Sequence, residues 1–508
     1  MRQGLLAFQY EEEPTTGGMT ALAGLPLYVE LAQVAGVPQA IRRHVQARAG
    51  GQGWDDAQVI LALVLLNLAG GEAVADLGVL EQDAGLCTVL RKVETYGLSR
   101  RAREALARRW RQVRGRTVPS SSAVFRYLAG FHDPAEEVRR QAHTAFIPAS
   151  TAALQGLRRV NAELVAFLQG HRPQSVATLD MDATLVETHK REARHSYQGY
   201  KAYQPLTTYW AEQGVAVDSE FRDGNVPAGY EQLRVLQEGL AVLPAGVSQV
   251  CLRSDTAGYQ QELLRYCAEG THPRFGVIPF AVGVDVTPEF KRAVAEVAAG
   301  DWHPLERVVE GRGVPTGQEW AEVCFVPNWV ARSLKGPDYR FLAIREPLQQ
   351  PPLPGVEQLS LPFPTLEFPA AGGPHKLFGL VTNRDLPGDE VIWWSRERCG
   401  KGEEVHKVLK EDLAGGQLPS GSFGANAAWW AITVLASTLH VVMQRLVLGA
   451  GWLGKRLKAL RFALIGLPGR VLEHARQLWV RLPRGHPSYG ILVAARRQVL
   501  ALAHGPPG

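Results

Sequence analysis

Residues 175–187, SVATLDMDATLVE, decide which fold this chain adopts. Val176, Thr178, Asp180, Asp182 and Thr184 alternate with Ala177, Leu179, Met181, Ala183 and Leu185. That two-residue period predicts a strand. Asp180 and Asp182 then share one face of it. Downstream, TTYWAE (207–212) and VAVDSEFRDG (215–224) flank Gln213-Gly214, a hairpin signal. A helix follows (GYEQLRVLQEGLAVL, 229–243), then a strand (SQVCLRSD, 248–255), a helix (AGYQQELLRYCAEG, 257–270) and a strand (FGVIPF, 275–280). Strands and helices in this order predict an α/β domain, a mixed sheet with helices packed on it.

Upstream, residues 1–172 read as helical. Asp55 and Asp56 are caps for AQVILALVLLNLAGG, whose paired glycines stop the helix, and Ser120 to Ser122 open AVFRYLAGF. From 281 to 374 the periodicity breaks into short strand-like runs (EVCFVP, YRFLAIRE) joined by Pro-rich links such as EPLQQPPLPG. That stretch reads as a β-rich insertion. The domain expected to begin at 173 thus runs to 280 and resumes over 375–440, where Glu403 and Glu404 open a helix. Residues 441–508 read as a basic helical tail punctuated by Leu467-Pro468-Gly469 and Leu482-Pro483.

The 508 residues are 46% hydrophobic and 21% charged, a composition that speaks against global disorder. The net charge of +5 is small, but its distribution is uneven. Eight arginines lie between 100 and 116 against one acid, Glu104, and eleven Lys/Arg follow Val441 against one acid, Glu473. Such clusters fit a phosphate-rich partner; singly, each also fits a solvated helix face. Five scattered cysteines with no CxxC pair suggest neither a disulfide framework nor a zinc site, as expected in a reducing cytosol. Three consecutive acids at Glu11 to Glu13 are not a secretory leader, and the apolar run 427–448 is interrupted by His440, Gln444 and Arg445. A buried helix is therefore expected there, with no membrane partner and a cytoplasmic, nucleoid-associated location.

Three acidic positions carry the chemistry. Asp182 shares its face with Asp180. Asp255 ends a strand before Thr256-Ala257-Gly258, at the carboxyl end where α/β sheets gather ligands. Glu403 sits beside Glu404, seven residues before Lys410, about two helical turns. Carboxylates from two strand ends and a helix suit Mg²⁺, which takes hard oxygen ligands and is usually shared with substrate phosphate. Individually, such residues also serve as turn formers and helix caps.

In this order the motifs resemble a DDE transposase of the ribonuclease-H-like class, in the insertion-sequence branch with a Tyr-Arg-Glu-Lys helix, family IS-thirteen-eighty. The resemblance rests on Asp180-Met-Asp182-Ala-Thr184, Arg253-Ser-Asp255, Tyr203-Gln-Pro-Leu206, Arg222-Asp-Gly-Asn225, Glu403 with Lys410, Phe423-Gly-Ala-Asn426-Ala-Ala-Trp429 and Leu467-Pro-Gly-Arg470. Counting back from Glu403, the tyrosine and arginine places hold Arg396 and Cys399; Trp394 and Arg398 lie nearby, out of step. The resemblance implies catalytic and metal-binding roles for Asp182, Asp255 and Glu403, with Asp180 and Glu404 as alternates. It implies Mg²⁺ with Mn²⁺ as substitute, and DNA contacts by Arg253, Arg398, Lys407, Lys410, Arg108 and Arg109. Its partners would be double-stranded DNA, at inverted-repeat ends and target, and a second copy in a synaptic homodimer. Two other readings stand beside it: a haloacid-dehalogenase-type phosphatase with Asp180 as nucleophile and Asp182 as acid/base, and a repurposed transposase that binds DNA without cutting.

Overall fold

The computed structural model describes residues 17–48, 53–96, 98–113, 115–140, 144–327, 339–348, 363–474 and 477–504. The chain divides into two compact units: residues 138–148 with 172–407, and the remainder, 1–137, 149–171 and 408–508.

The first unit is built on a mixed ten-stranded sheet. Its strands are β1 (Val176–Ala183), β2 (Leu206–Trp210), β3 (Val215–Glu220), β4 (Gln249–Ser254), β5 (Phe280–Val284), β6 (His303–Val309), β7 (Arg312–Val323), β8 (Arg340–Pro347), β9 (Thr365–Phe368) and β10 (Gly373–Thr382). Across the sheet the order is β6-β7-β8-β10-β5-β4-β1-β2-β3, with β9 paired to β10. β1, β4 and β5 are mutually parallel and every other pairing is antiparallel. The β2–β3 hairpin forms where Gln213-Gly214 signals it, with Gly214 at φ +75°. Helices α1 (Gln232–Ala241) and α2 (Gln261–Glu269) form within the stretches read as helical but start later, the second after the 3-10 turn Thr256–Gly258. The strand expected at FGVIPF begins only at Phe280. Pro279 supplies a carbonyl to Leu252 but has no N–H to give a ladder.

The stretch 281–374, read as an insertion, supplies strands that extend this same sheet. Runs of short β segments broken by prolines look alike in a separate subdomain and in a sheet margin, so periodicity alone did not distinguish them. Helix α3 (Pro288–Ala295) lies within the stretch, and α4 (Gly388–Arg396) follows β10. Val391 and Ile392 of α4 are buried with Ala281, Leu305, Leu342, Ile344 and Leu380 from the sheet. Residues 138–148 join this unit through Arg140, which bonds both oxygens of buried Asp223 at 2.6 and 2.8 Å.

The second unit is mainly helical. Asp55 caps Asp56–Ala69 with a full capping box, Gly70 ends it in the left-handed conformation, and Ser120 caps Ser121–Ala129. Residues 408–440, expected with the sheet, belong here. The reason is Phe423–Val442, apolar on nearly every side and buried against Ala152–His171, Asp56–Ala69 and Ser121–Ala129. Such a helix needs neighbours all round. With its extension to Leu448 it is long and apolar enough to cross a membrane, and it forms the core of this unit. Asn67 reaches Thr433 at 3.4 Å, Asn161 reaches Thr438 at 2.7 Å and Tyr28 reaches His440 at 3.0 Å. The tail read as helical also contains a β-hairpin, Gly469–His474 with Gln477–Arg481, whose first strand pairs Met19–Thr20.

Candidate functional site

Asp180 on β1 is in register with Arg253 on β4, as Met181 is with Ser254. The Asp180 and Arg253 side chains meet on one face of the sheet. Side chains two residues further lie on that same face, so Asp182 and Asp255 are neighbours at the carboxyl ends of adjacent parallel strands. Strands in a sheet run about 4.8 Å apart. Burial pushes the Asp255 carboxyl above the usual carboxylate range, and the charge of Asp182 pushes it further. The Ala257 N–H opposes the shift by donating to Asp255 at 3.0 Å.

Asp180 has a different role. It is 3% exposed and Arg253 is 1% exposed. The guanidinium donates to both Asp180 oxygens, at 2.6 and 2.9 Å. It also donates to the Trp394 carbonyl at 2.8 Å and to Glu397 at 3.1 Å, so the pair ties α4 to the strands. Two sequence expectations change here. Arg253, expected at the DNA, is buried with its guanidinium held by protein acceptors. Asp180, with both oxygens committed, is not poised as an alternate metal ligand. The phosphatase reading needs Asp180 as an accessible nucleophile, and its burial removes that reading's footing.

Asp182 keeps its carboxylate available. Arg398 and His406 each approach its Oδ2 to 3.5 Å, too long for a good hydrogen bond. His406 lies on α5 (Lys401–Lys407) and is buried, with Nδ1 lacking a partner among the described residues. One turn earlier, a Cβ on Gly402 would stand 3.2 Å from the same oxygen. The chain passes Asp182 so closely at this point that glycine fits without displacing it. Neither Gly402 nor His406 stood out in the sequence. Their four-residue spacing, continued backwards to Arg398, was the available signal.

The third acid is not gathered in. Glu403 and Glu404 are both exposed on α5, and among the described residues no three His, Cys, Asp or Glu side chains form a metal-sized cluster. Lys407 is exposed. Lys410 lies in the π-helical turn Val408–Asp412, so seven residues from Glu403 do not make two α-helical turns. Burial pulls the Lys410 amine below the usual lysine value. Arg108 and Arg109 fall on the helix Arg100–Val113, and their side chains lie outside the described residues.

The donor set still fits a divalent cation. Asp182 and Asp255 offer hard oxygens, repel one another without a cation, and are as many protein carboxylates as Mg²⁺ usually takes when substrate phosphate completes its shell.

No curated protein matches the chain. A solved structure titled "Cryo-EM structure of piggyBac transposase synaptic complex with hairpin DNA" is similar at 10% identity and a TM-score of 0.36, over 88% of this chain and 87% of that one. That likeness is too distant to carry inference. The family described as "Transposase DDE domain group 1" matches residues 12–325 and 367–503, well over half of the chain and all three acidic positions. The chain therefore belongs to the group 1 DDE transposases, enzymes of DNA transposition whose chemistry generally uses divalent metal ions.

Proposed function

We propose that this transposase belongs to the insertion-sequence family IS-thirteen-eighty, cuts DNA at the inverted-repeat ends of its element and joins the freed end to a target. One observation carries the reading: Asp182 and Asp255 stand side by side at the ends of adjacent parallel strands, with Asp180 neutralised beneath them by Arg253. A ribonuclease-H-like core is supported by the strand order β3-β2-β1-β4-β5, with β2 antiparallel and β4 and β5 parallel to β1.

Asp182 and Asp255 would hold the metal ion, Mg²⁺ or Mn²⁺, with Glu403 as the third carboxylate. Bound there, the ion supplies activation of the attacking oxygen and stabilisation of the leaving one. The protein's part is to hold and orient. Arg253 fixes the two strand ends in register. Arg398, half-buried beside Asp182, and exposed Lys407 are placed to balance phosphate charge. In the first step water attacks phosphorus and the bond to the 3′ oxygen breaks, leaving a 3′-hydroxyl and a 5′-phosphate. In the second, that hydroxyl attacks a target phosphorus, and as the new P–O bond forms the target's bond to its own 3′ oxygen breaks and leaves as a 3′-hydroxyl. Two ends must be held together, so a homodimer on DNA and a nucleoid-associated, cytoplasmic location belong to this reading.

Asp255→Ala should abolish Mg²⁺- or Mn²⁺-dependent nicking of end-bearing DNA while binding persists. Normal cutting by this variant would sink the assignment. Glu403→Gln and Glu404→Gln, compared side by side, decide the third carboxylate by which one loses cleavage. A parent chain that binds its ends yet never nicks them would leave the repurposed DNA-binding reading in place.

A further inference from the structure

The C-terminal hairpin carries a feature that the metal site does not use. Its two strands, Gly469–His474 and Gln477–Arg481, pair in register as Arg470↔Arg481, Val471↔Val480, Leu472↔Trp479, Glu473↔Leu478 and His474↔Gln477. Alternation sends Val471, Val480, Glu473 and Leu478 to one face and Arg470, Arg481, Leu472, Trp479, His474 and Gln477 to the other. The first face is anchored to the helical unit at Val471, which is buried, and exposed Glu473 accepts from Lys92 of Ala84–Thr95 at 2.8 Å. The second is solvent-facing. Arg470, Arg481, His474 and Gln477 are exposed and Trp479 is 52% exposed.

That outer face has no acidic residue. The one carboxylate within the two strands, Glu473, is turned away and paired. Arg470 and Arg481 stand directly opposite one another, a like-charge arrangement that weakens a sheet. Arg470 gives one bond to the Gly17 carbonyl at 3.3 Å. Neither arginine has a carboxylate partner among the described residues. Two adjacent cations, an exposed indole beside them and no neutralising acid make a surface that costs stability when bare and is relieved by polyanion. The strip is about 14 Å long, from the first cross-strand pair to the last, at roughly 3.4 Å per residue.

We propose that this outer hairpin face is a docking surface for the DNA backbone, with Arg470 and Arg481 on phosphates and Trp479 packed against the sugar edge. The inference rests on the transposase reading but is separable from it, because it concerns where DNA is held and not how it is cut.

The test uses the full-length protein and a fluorescent duplex of about 30 base pairs, titrated from low to moderate salt. Arg470→Gln/Arg481→Gln should weaken binding about tenfold and flatten the plot of log K against log salt by about 1.8, at roughly 0.9 for each phosphate left without its arginine. Trp479→Ala should weaken binding a few-fold and leave the slope unchanged. Arg496→Gln, an exposed arginine on Ser488–Leu502 that pairs with Glu30 at 3.1 Å, serves as the control for reduced positive charge and should leave the slope nearly unchanged. Thermal melting establishes that each variant is folded. Parental affinity and slope in the double variant overturn this inference alone, leaving the carboxylate assignment untouched. An equal flattening in Arg496→Gln would mean diffuse charge, which also overturns it. Absence of duplex binding by the parent overturns both this surface and the transposition reading. Loss of cleavage in Asp255→Ala with binding retained supports the metal site independently.

Discussion

Replacing Arg253 with leucine tests whether the clamp beneath the acidic pair is what holds it. The substitution removes four hydrogen bonds: two to Asp180 at 2.6 and 2.9 Å, one to the Trp394 carbonyl at 2.8 Å and one to Glu397 at 3.1 Å. More costly is what remains, a carboxylate at 3% exposure that has lost its bonded counter-charge and keeps only the charge of Arg398. Breaking a buried ion pair from one side typically costs about 3–5 kcal/mol, against a total stability of roughly 5–15 kcal/mol for a domain. The pair itself need not be strongly stabilising, because two leucines would spare both desolvation costs. Asp180→Leu, Arg253→Leu and the double variant therefore form a cycle, read by urea unfolding monitored through tryptophan fluorescence. Each single variant should lose several kcal/mol and the double much less than their sum. Burial already raises the Asp180 pKa, and losing Arg253 raises it further. The Arg253→Leu deficit should shrink in acid. A group with a raised folded pKa keeps its full stability below its unfolded value, about 3.9, and loses it as pH rises through the folded one. Destabilisations that simply add, or an Arg253→Leu variant within about 0.5 kcal/mol of the parent, would refute the clamp.

Gly402→Ala should stabilise α5 by up to about 1 kcal/mol, since alanine favours helices over glycine, yet lower metal-dependent nicking, because its Cβ would press on Asp182 from 3.2 Å. Unchanged nicking in a folded variant would dissociate this helix from the site. Asp255→Asn should raise the melting temperature at neutral pH while abolishing cleavage. Asp255's raised pKa marks its ionised form as a net cost once pH exceeds the unfolded value, and calorimetry from about pH 4 to about pH 8 should show the gain growing with pH. His440 gives the opposite sign. Burial, with help from Arg461, lowers its pKa to about 3. Its neutral form supports the fold above about 6.5, and stability drains away as pH falls towards 3, by roughly 5 kcal/mol at about 1.36 kcal/mol per unit. His440→Leu should flatten that acid limb of the unfolding curve; an unchanged limb would show that another group carries it.

Much of the core was legible because its signals are local. Alternation set β1, Gln213-Gly214 set the β2–β3 hairpin, and Asp55 and Ser120 capped their helices where a cap was read. Asp182 and Asp255 could be named because aspartates at strand ends stand out. What local pattern did not carry was long-range pairing. Arg253 reads as a basic residue beside an acidic motif, and only the β1–β4 register reveals that it faces Asp180. The 281–374 strands show their own alternation but not which sheet they join. Gly402 and His406 are inconspicuous until folding lays them beside Asp182. The C-terminal hairpin was hidden by basic residues and Leu-Pro breaks that resemble a punctuated helix.

The helix Phe423–Val442 presents almost featureless apolar surface, and such a rod can settle at many nearly equal depths among its neighbours. Thr433, Thr438 and His440 remove that freedom by meeting Asn67, Asn161 and Tyr28 on three different segments. A slip of one turn, about 5.4 Å, would break all three partnerships while leaving the oily packing largely intact. At about 1–3 kcal/mol for each polar group stranded away from water, the mismatch would exceed thermal energy severalfold. The polar contacts therefore act as indexing marks. They contribute modestly to how tightly the helix is held and strongly to where along its axis it comes to rest.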